Sequence, residues 1–322
     1  MAMEGMVRTV LGDIAPADLG WCQCHEHVFL EKGRSFELHK ALLMDDYEKS
    51  QAELFLYKNA GGSALVDAQP GGGGRMAERM VRAAKATGLH LIASAGFHKT
   101  VFYYDDSFLF RESEEQLADR FIREIEEGML SSQMDGERRL PEKAGILKVA
   151  VDEGGLHRDA TYEKLFHAAA ATVKATGVSI LAHFEKNSDA FEVLRFFEDA
   201  GIPANRLLAC HLDRTRHDLG YHRELAAAGA YLEYDTINRL KYVSNEQEIA
   251  LIQGMLEAGY QDQLLFSLDT TNERLASYGA PMGLDFILKH FSGMLEQAGV
   301  GKEILRHVMV ENAARAIAIQ AV

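Results

Sequence analysis

Eight short apolar runs, with helical segments between them, constrain the fold more than any other feature of the chain. The runs cover 20–24, 63–69, 90–97, 145–151, 179–184, 207–213, 231–237 and 264–270. They carry Val, Ile, Leu, Ala and Cys almost without interruption, as strands covered on both faces do. Helical periodicity fills 76–87, 114–127, 162–176, 190–200, 220–228, 246–258, 284–297 and 302–319. Several of these segments run into a glycine, among them Gly88, Gly177, Gly201 and Gly259, which suits a helix C-cap. The alternation predicts a (β/α)8 TIM barrel in the α/β class. A doubly wound parallel sheet is the competing architecture, but no GxGxxG opens a helix after the first strand. The glycine run at 71–74 lacks the Lys-Ser/Thr of a phosphate loop and reads as a flexible barrel loop. No linker rich in Pro, Ser or Gly interrupts the chain. A single domain over 1–322, closed by the last helix, is therefore expected.

Composition narrows the partners. The 34 Lys and Arg against 48 Asp and Glu give a net charge of −14, the wrong sign for neutralising nucleic-acid phosphates or for holding an anionic membrane surface. A small local basic pocket for one anion stays compatible with that total. Three cysteines, Cys22, Cys24 and Cys210, make a disulfide framework unexpected and fit a reducing compartment. The opening residues hold no apolar signal region, and no window approaches about 18 uninterrupted apolar residues. A cytoplasmic protein with no nucleic-acid or membrane partner is the expectation.

In a barrel of this kind chemistry sits at the carboxyl ends of the strands. The polar residues there are His25 and His27, Lys148, His183, His211 and Asp269. In His25-Glu26-His27, residues two apart face the same side of an extended chain, so both imidazoles point inward and Glu26 points away. An HxH pair alone is as compatible with two solvated histidines. Lys148 interrupts Gly-Ile-Leu-Lys-Val-Ala-Val, and a buried ammonium is expensive unless paired or neutralised. Its head either reaches solvent at the strand end or is converted by carbon dioxide to a carbamate, an anion with two oxygens that can bridge cations. His183 and His211 each end an apolar run, where a hydrogen-bonded core histidine is the ordinary alternative. Asp269 can equally be a helix N-cap. The joint pattern carries the weight: nitrogen and oxygen ligands on strands one, four, five, six and eight converge on one face, as a divalent metal site requires. Cys22 and Cys24 are read as core, and Asp213 either orients a ligand or is an ordinary polar strand end.

These residues occur within a longer set: Arg8-Thr9-Val10-Leu11-Gly12, His25-Glu26-His27, Val66-Asp67, Ala93-Ser94-Ala95-Gly96-Phe97, Gly145-Ile146-Leu147-Lys148, His183, His211-Leu212-Asp213-Arg214 and Asp269. In order and in residue type it resembles the phosphotriesterase-like branch of the amidohydrolase superfamily, nearly end to end. The resemblance implies a binuclear metal-dependent hydrolase, usually zinc, with manganese or cobalt as alternatives. It implies that His25, His27 and Asp269 hold the buried ion and His183 and His211 the more exposed one. N6-carboxylated Lys148 and a hydroxide would bridge them, with Asp269 moving the proton. It also implies a homodimer as the expected assembly.

The loops after the last strands choose the substrate. Lys241 follows strand seven; Arg274 and Tyr278 follow strand eight, four apart, on one side if that stretch is a helical turn. Two cations and a hydroxyl can hold a phosphate, or they are solvated loop residues. Members of the branch that hydrolyse phosphorylated sugar lactones are similar at these three positions. The triester hydrolases carry a His after strand seven, where this chain reads Tyr234-Asp235-Thr236-Ile237. The reading is a hydrolase that opens a small anionic lactone, a phosphorylated sugar lactone, by attack of the bridging hydroxide on the ring carbonyl. A promiscuous carboxylesterase or organophosphate phosphotriesterase on the same metal centre is the enzymatic alternative. A metabolite-binding barrel without catalysis is the alternative of another class.

Overall fold

The computed structural model describes residues 5–132 and 138–321. A short antiparallel hairpin comes first, β1 (Val7–Thr9) with β2 (Gly12–Ile14). The sequence reading passed over it, because strands of three residues leave no periodicity to detect. Then follow β3 (Cys22–Glu26), β4 (Ala64–Pro70), β5 (His90–Gly96), β6 (Ile146–Val151), β7 (Ile180–Phe184), β8 (Leu207–Cys210), β9 (Tyr231–Tyr234) and β10 (Leu264–Phe266). These eight form one parallel sheet in sequence order, each paired with its neighbour. The expected (β/α)8 barrel is the fold.

The seam between β10 and β3 is closed by other means. Asp269 N–H donates to His25 O at 3.2 Å. His25 N–H donates to Ser267 Oγ at 2.9 Å. Glu26 accepts from Leu268 N–H at 2.7 Å and from Thr270 Oγ1 at 2.8 Å. Glu26 points away from the imidazoles as expected, but into this buried seam instead of solvent.

Alternation along the strands divides two cores. Ile146, Leu181, Leu208, Tyr231 and Leu265 fill the barrel interior with Cys22, Cys24, Ala64 and Val66. Leu147, Val149, Ile180, Ala182, Leu232 and Phe266 pack outward against the helices. By the same period of two, Lys148 follows Ile146 inward and His183 follows Leu181. Both cysteines of the first strand are core, as read.

Helices lie between strands where periodicity placed them: Ala77–Thr87, Glu114–Glu126, Ala160–Thr176, Ala190–Asp199, Leu219–Ala227 and Asn245–Glu257. Several helices lay outside the sequence reading, the longest of them Tyr47–Asn59. Its inward stripe includes Ser50 and Glu53 beside Leu54 and Tyr57, so apolar periodicity alone does not reveal it. Glu53 receives Ser277 N–H and Leu284 N–H, both at 2.8 Å, and so fixes the loop after β10. The last segment is not one continuous helix. Lys302–Arg306 passes into a π-helical turn, His307–Asn312, and then Ala313–Ile317. That turn places buried Asn312 to donate to Gln261 O and Leu264 O at 2.7 and 2.9 Å, while Ala313, Ala314 and Ala316 plug the barrel floor. No helix among the described residues is long and apolar enough to cross a membrane.

Candidate metal and substrate site

His25, His27, Lys148, His183, His211 and Asp269 meet at the carboxyl ends of the barrel strands, and all six are buried. Lys148 Nζ lies 3.4 Å from His25 Nε2. Asp269 Oδ1 lies 3.5 Å from His27 Nε2 and 3.8 Å from His25 Nε2. His211 Nε2 lies 2.7 Å from His183 Nδ1. Gly96 makes room for Lys148: a Cβ there would sit 2.1 Å from Lys148 O, and its φ of +97° suits glycine alone. His211 and Asp269 hold left-handed φ values of 68° and 48°, an uncommon and costly conformation for such residues that tends to mark functional sites.

The outer ring nitrogens are supported from behind. Asp235 Oδ1 is 2.7 Å from His211 Nδ1. A carboxylate accepts, so His211 carries its proton on Nδ1 and turns a lone pair at Nε2 toward His183. Asp235 Oδ2 is 3.0 Å from His25 Nδ1, though off the line of a good hydrogen bond. His183 Nε2 faces Glu185 at 3.6 Å, and Lys99 Nζ donates to Glu185 at 2.7 Å. Burial pushes His25 and His211 well below the ordinary imidazole value and His183 down to about 4, so all three are neutral near pH 7. Burial also lowers the Lys148 ammonium. It would raise the Asp269 carboxyl, but Arg239, His27, His211 and Arg214 overcome it and hold the group well below its ordinary value.

This donor set fits a divalent cation. His25, His211 and Asp269 bring one ligand atom each within 4.8 Å of one another. His27 Nε2 and His183 Nδ1 face the same group, toward Asp269 Oδ1 and His211 Nε2. Neutral imidazoles and a carboxylate shielded from water are donors such ions take. A second group of His25, Cys210 and Asp235 is equally close. Burial raises the Cys210 thiol, and a protonated thiol is a poor ligand.

The site opens into a pocket of about 780 Å³. His27, His183, His211 and Asp269 line it, with Arg214, Arg239, Lys241 and Tyr242 on one wall. Lys241 is exposed there. Arg274 and Tyr278 are not brought into the pocket with it. The stretch after β10 is not one helical turn: Asn272–Arg274 and Ala276–Tyr278 are separate 3-10 turns, broken by extended Leu275, so spacing by four does not align them. Arg274 is buried and donates to the carbonyls of Asn238, Ile237 and Leu268 at 2.9, 2.8 and 3.1 Å. Tyr278 OH is 2.8 Å from Ser50 Oγ. Arg274 therefore ties the loops after β9 and β10 together. Replacing it by Met strands three acceptors, and we expect a loss of about 3 kcal/mol or more. Thermal denaturation checks this; an unchanged melting temperature would contradict the role.

Asp235, Glu185, Arg214 and Arg239 were not singled out from sequence as site residues. Asp235, Arg214 and Arg239 meet groups far along the chain, so spacing gave no signal, whereas Glu185 lies two residues from His183 and spacing could have found it. Arg214 and Arg239 stood beside residues that were singled out, His211 and Lys241. Asp213, left open, accepts from Thr236 N–H and Oγ1 at 2.6 and 3.0 Å and so fixes the turn that follows Asp235.

Comparison with known proteins agrees with this architecture. A model described as the Phosphotriesterase family matches residues 5–317. A phospho-furanose lactonase of Mycoplasmopsis synoviae (strain 53) is 30% identical over 97% of this chain and 91% of its own. The crystal structure of a lactonase from Listeria monocytogenes superposes with a TM-score of 0.89 at 28% identity, covering 98% of this chain and 99% of that one. That of an amidohydrolase from Mycoplasma synoviae gives 0.91 at 30% identity, covering 98% and 92%.

Proposed function

Because this chain belongs to the phosphotriesterase family, we propose that its hydrolase activity is the metal-dependent opening of a small anionic lactone, a phosphorylated sugar lactone. The observation that carries this reading is one pocket in which the imidazole, lysine and aspartate set faces a wall of cations, Arg214, Arg239 and Lys241. The relatives named as lactonases support the same bond type.

In this reading His25, His27 and Asp269 would hold one ion and His183 and His211 the other, zinc first, with manganese or cobalt as alternatives. Bound there, two such ions supply water activated near neutral pH and a Lewis acid for the acyl oxygen. Lys148 would lie between them as a carbamate: its neutral amine adds to carbon dioxide, losing one proton and gaining one carboxylate. Asp235 and Glu185 hold the imidazoles of His211 and His183 in register. Asp269 would accept the proton of the attacking water. It would return that proton to the ring oxygen as the acyl–oxygen bond breaks, leaving a hydroxy acid. The cationic wall orients the substrate through a group remote from the reacting carbon.

Metal-reconstituted protein should turn over phosphorylated aldonolactones with a higher kcat/KM than the same lactones without phosphate. Strong turnover of a neutral ester or an organophosphate triester, with none of any phosphorylated lactone, would replace this reading by the promiscuous esterase or triesterase. Tight metal or ligand binding with no turnover at all would favour the non-catalytic barrel. Intact mass should show one added carbon dioxide at Lys148 that is lost on acidification.

A further inference from the structure

The pocket has a second polar wall, across the barrel mouth from Arg214 and Arg239. In the ring of eight strands, β4 and β5 stand opposite β8 and β9. Gln69, near the end of β4, and His98, just after β5, both line the pocket, and neither belongs to the metal set. Each is held in one orientation by its surroundings. Lys99 N–H donates to His98 Nδ1 at 2.7 Å, so Nδ1 carries a lone pair and the ring proton sits on Nε2. His98 N–H donates to Tyr103 OH at 3.0 Å. Gln69 N–H donates to Asp67 Oδ1 at 3.0 Å, and its amide nitrogen donates to Gly73 O. A carbonyl only accepts, so the Gln69 amide oxygen is left over. Gly73 permits this closeness: a Cβ there would lie 2.9 Å from Gln69 Nε2 and 3.1 Å from Tyr103 OH. Among the described residues His98 Nε2 and Gln69 Oε1 have no hydrogen-bond partner, although the two residues are only 7% and 3% exposed. This wall therefore offers the pocket one neutral donor and one neutral acceptor.

We propose that His98 and Gln69 read one hydroxyl of the substrate, that on the carbon next to the acyl carbon, and so select a hydroxylated ring over a deoxy or alkyl lactone. This rests on the lactonase reading for the reacting carbonyl and on the cationic wall for direction. A hydroxyl both accepts and donates, so it takes the Nε2 proton and gives its own to Oε1. A ring methylene or an acyl chain in the same place leaves both groups dehydrated and unmatched. Position favours this hydroxyl over the others. In a five-membered lactone the side arm leaves the ring carbon bonded to the ring oxygen. With that arm drawn to Arg214 and Arg239 and the acyl carbon over the histidine and aspartate set, the carbon beside the carbonyl turns to β4 and β5. His98 stands at the edge of that set, its ring centroid 5.1 Å from that of His183. A site built to hydrogen-bond a hydroxyl rejects the analogue without it far more strongly than an apolar pocket rejects a change of one methylene.

Matched ligands test this. For turnover, the 5-phosphates of ribono-1,4-lactone and arabinono-1,4-lactone are compared with that of 2-deoxyribono-1,4-lactone, which both epimers become on losing the hydroxyl in question. For binding, metal-loaded protein is titrated calorimetrically with the 5-phosphates of 1,4-anhydroribitol, 1,4-anhydroarabinitol and their shared 2-deoxy ring, which have no acyl bond to break. The variants are His98→Phe, which keeps a ring without nitrogens, His98→Gln, which returns a donor near Nε2, and Gln69→Leu. In the wild type the better epimer should bind, and react, about tenfold or more better than the deoxy compound. His98→Phe and Gln69→Leu should lose most of that preference, and His98→Gln should restore part of it, with metal content and melting temperature close to wild type. Gln69→Leu also loses the bond to Gly73 O, so His98→Phe carries the comparison if that variant does not fold. A wild type that treats the deoxy ring like both epimers, or a preference unchanged in His98→Phe, overturns the proposal. If no lactone is hydrolysed but the binding preference exists and His98→Phe abolishes it, the hydroxyl contact stands and only the lactonase reading falls. If no ring binds and no lactone reacts, both fall.

Discussion

Lys148→Met should lower hydrolysis by on the order of a thousandfold or more while leaving the chain as stable as before, or more stable. The two effects have separate causes. Lys148 is wholly buried in the barrel interior, and burial disfavours its charged form. Among the described residues its amine has one close polar neighbour, His25 Nε2. Methionine is unbranched, similar in length and apolar, so it fills the space without the cost of dehydrating an amine. What it removes is the side chain that, in the proposed centre, would join the His25–His27–Asp269 group to the His183–His211 pair. Metal analysis should then show fewer ions per chain than in the wild type. Full metal content with full activity in Lys148→Met would remove the lysine from the proposed centre. A collapse in melting temperature would show that its role is structural.

Asp235→Asn should weaken metal binding by about 10–100-fold, with little change in fold. Asp235 is buried and presents one oxygen to His211 Nδ1 and the other to His25 Nδ1. Both contacts favour the proton on Nδ1 and the lone pair on Nε2. Asparagine offers one acceptor only. Its amide N–H group, facing the other ring, demands a lone pair at that Nδ1 and moves the proton to Nε2, where the ligand lone pair is needed. Competition with a chelator measures the affinity directly. Saturating metal should recover most of the activity, because the first ligands are intact. Unchanged affinity, or activity that no excess of metal restores, would count against this role.

The barrel was legible in sequence because its signal is local. A buried parallel strand must be apolar on both faces, and a covering helix must show a stripe, so each unit declares itself within about ten residues. The ends of the strands were less clear. The run read as 207–213 stops pairing at Cys210, because His211 takes left-handed backbone that ends a ladder, and the run read as 264–270 stops at Phe266. The helix Tyr47–Asn59 escaped because its buried face carries polar groups that cap another loop.

The same division runs through the site. Residue types and strand positions named His25, His27, Lys148, His183, His211 and Asp269, since a polar residue closing an apolar strand stands out wherever the barrel places it. Arg214, Arg239 and Arg274 look alike in sequence: each is a loop arginine near a strand end. Only the packed structure separates them, because a guanidinium binds whatever acceptors the neighbouring loops bring to it. For Arg274 those are three backbone carbonyls; for the other two they are Asp269 and the open pocket. Local periodicity determines which segments pair, whereas the partners of a long charged side chain depend on contacts between residues tens of positions apart, which only the closed barrel establishes.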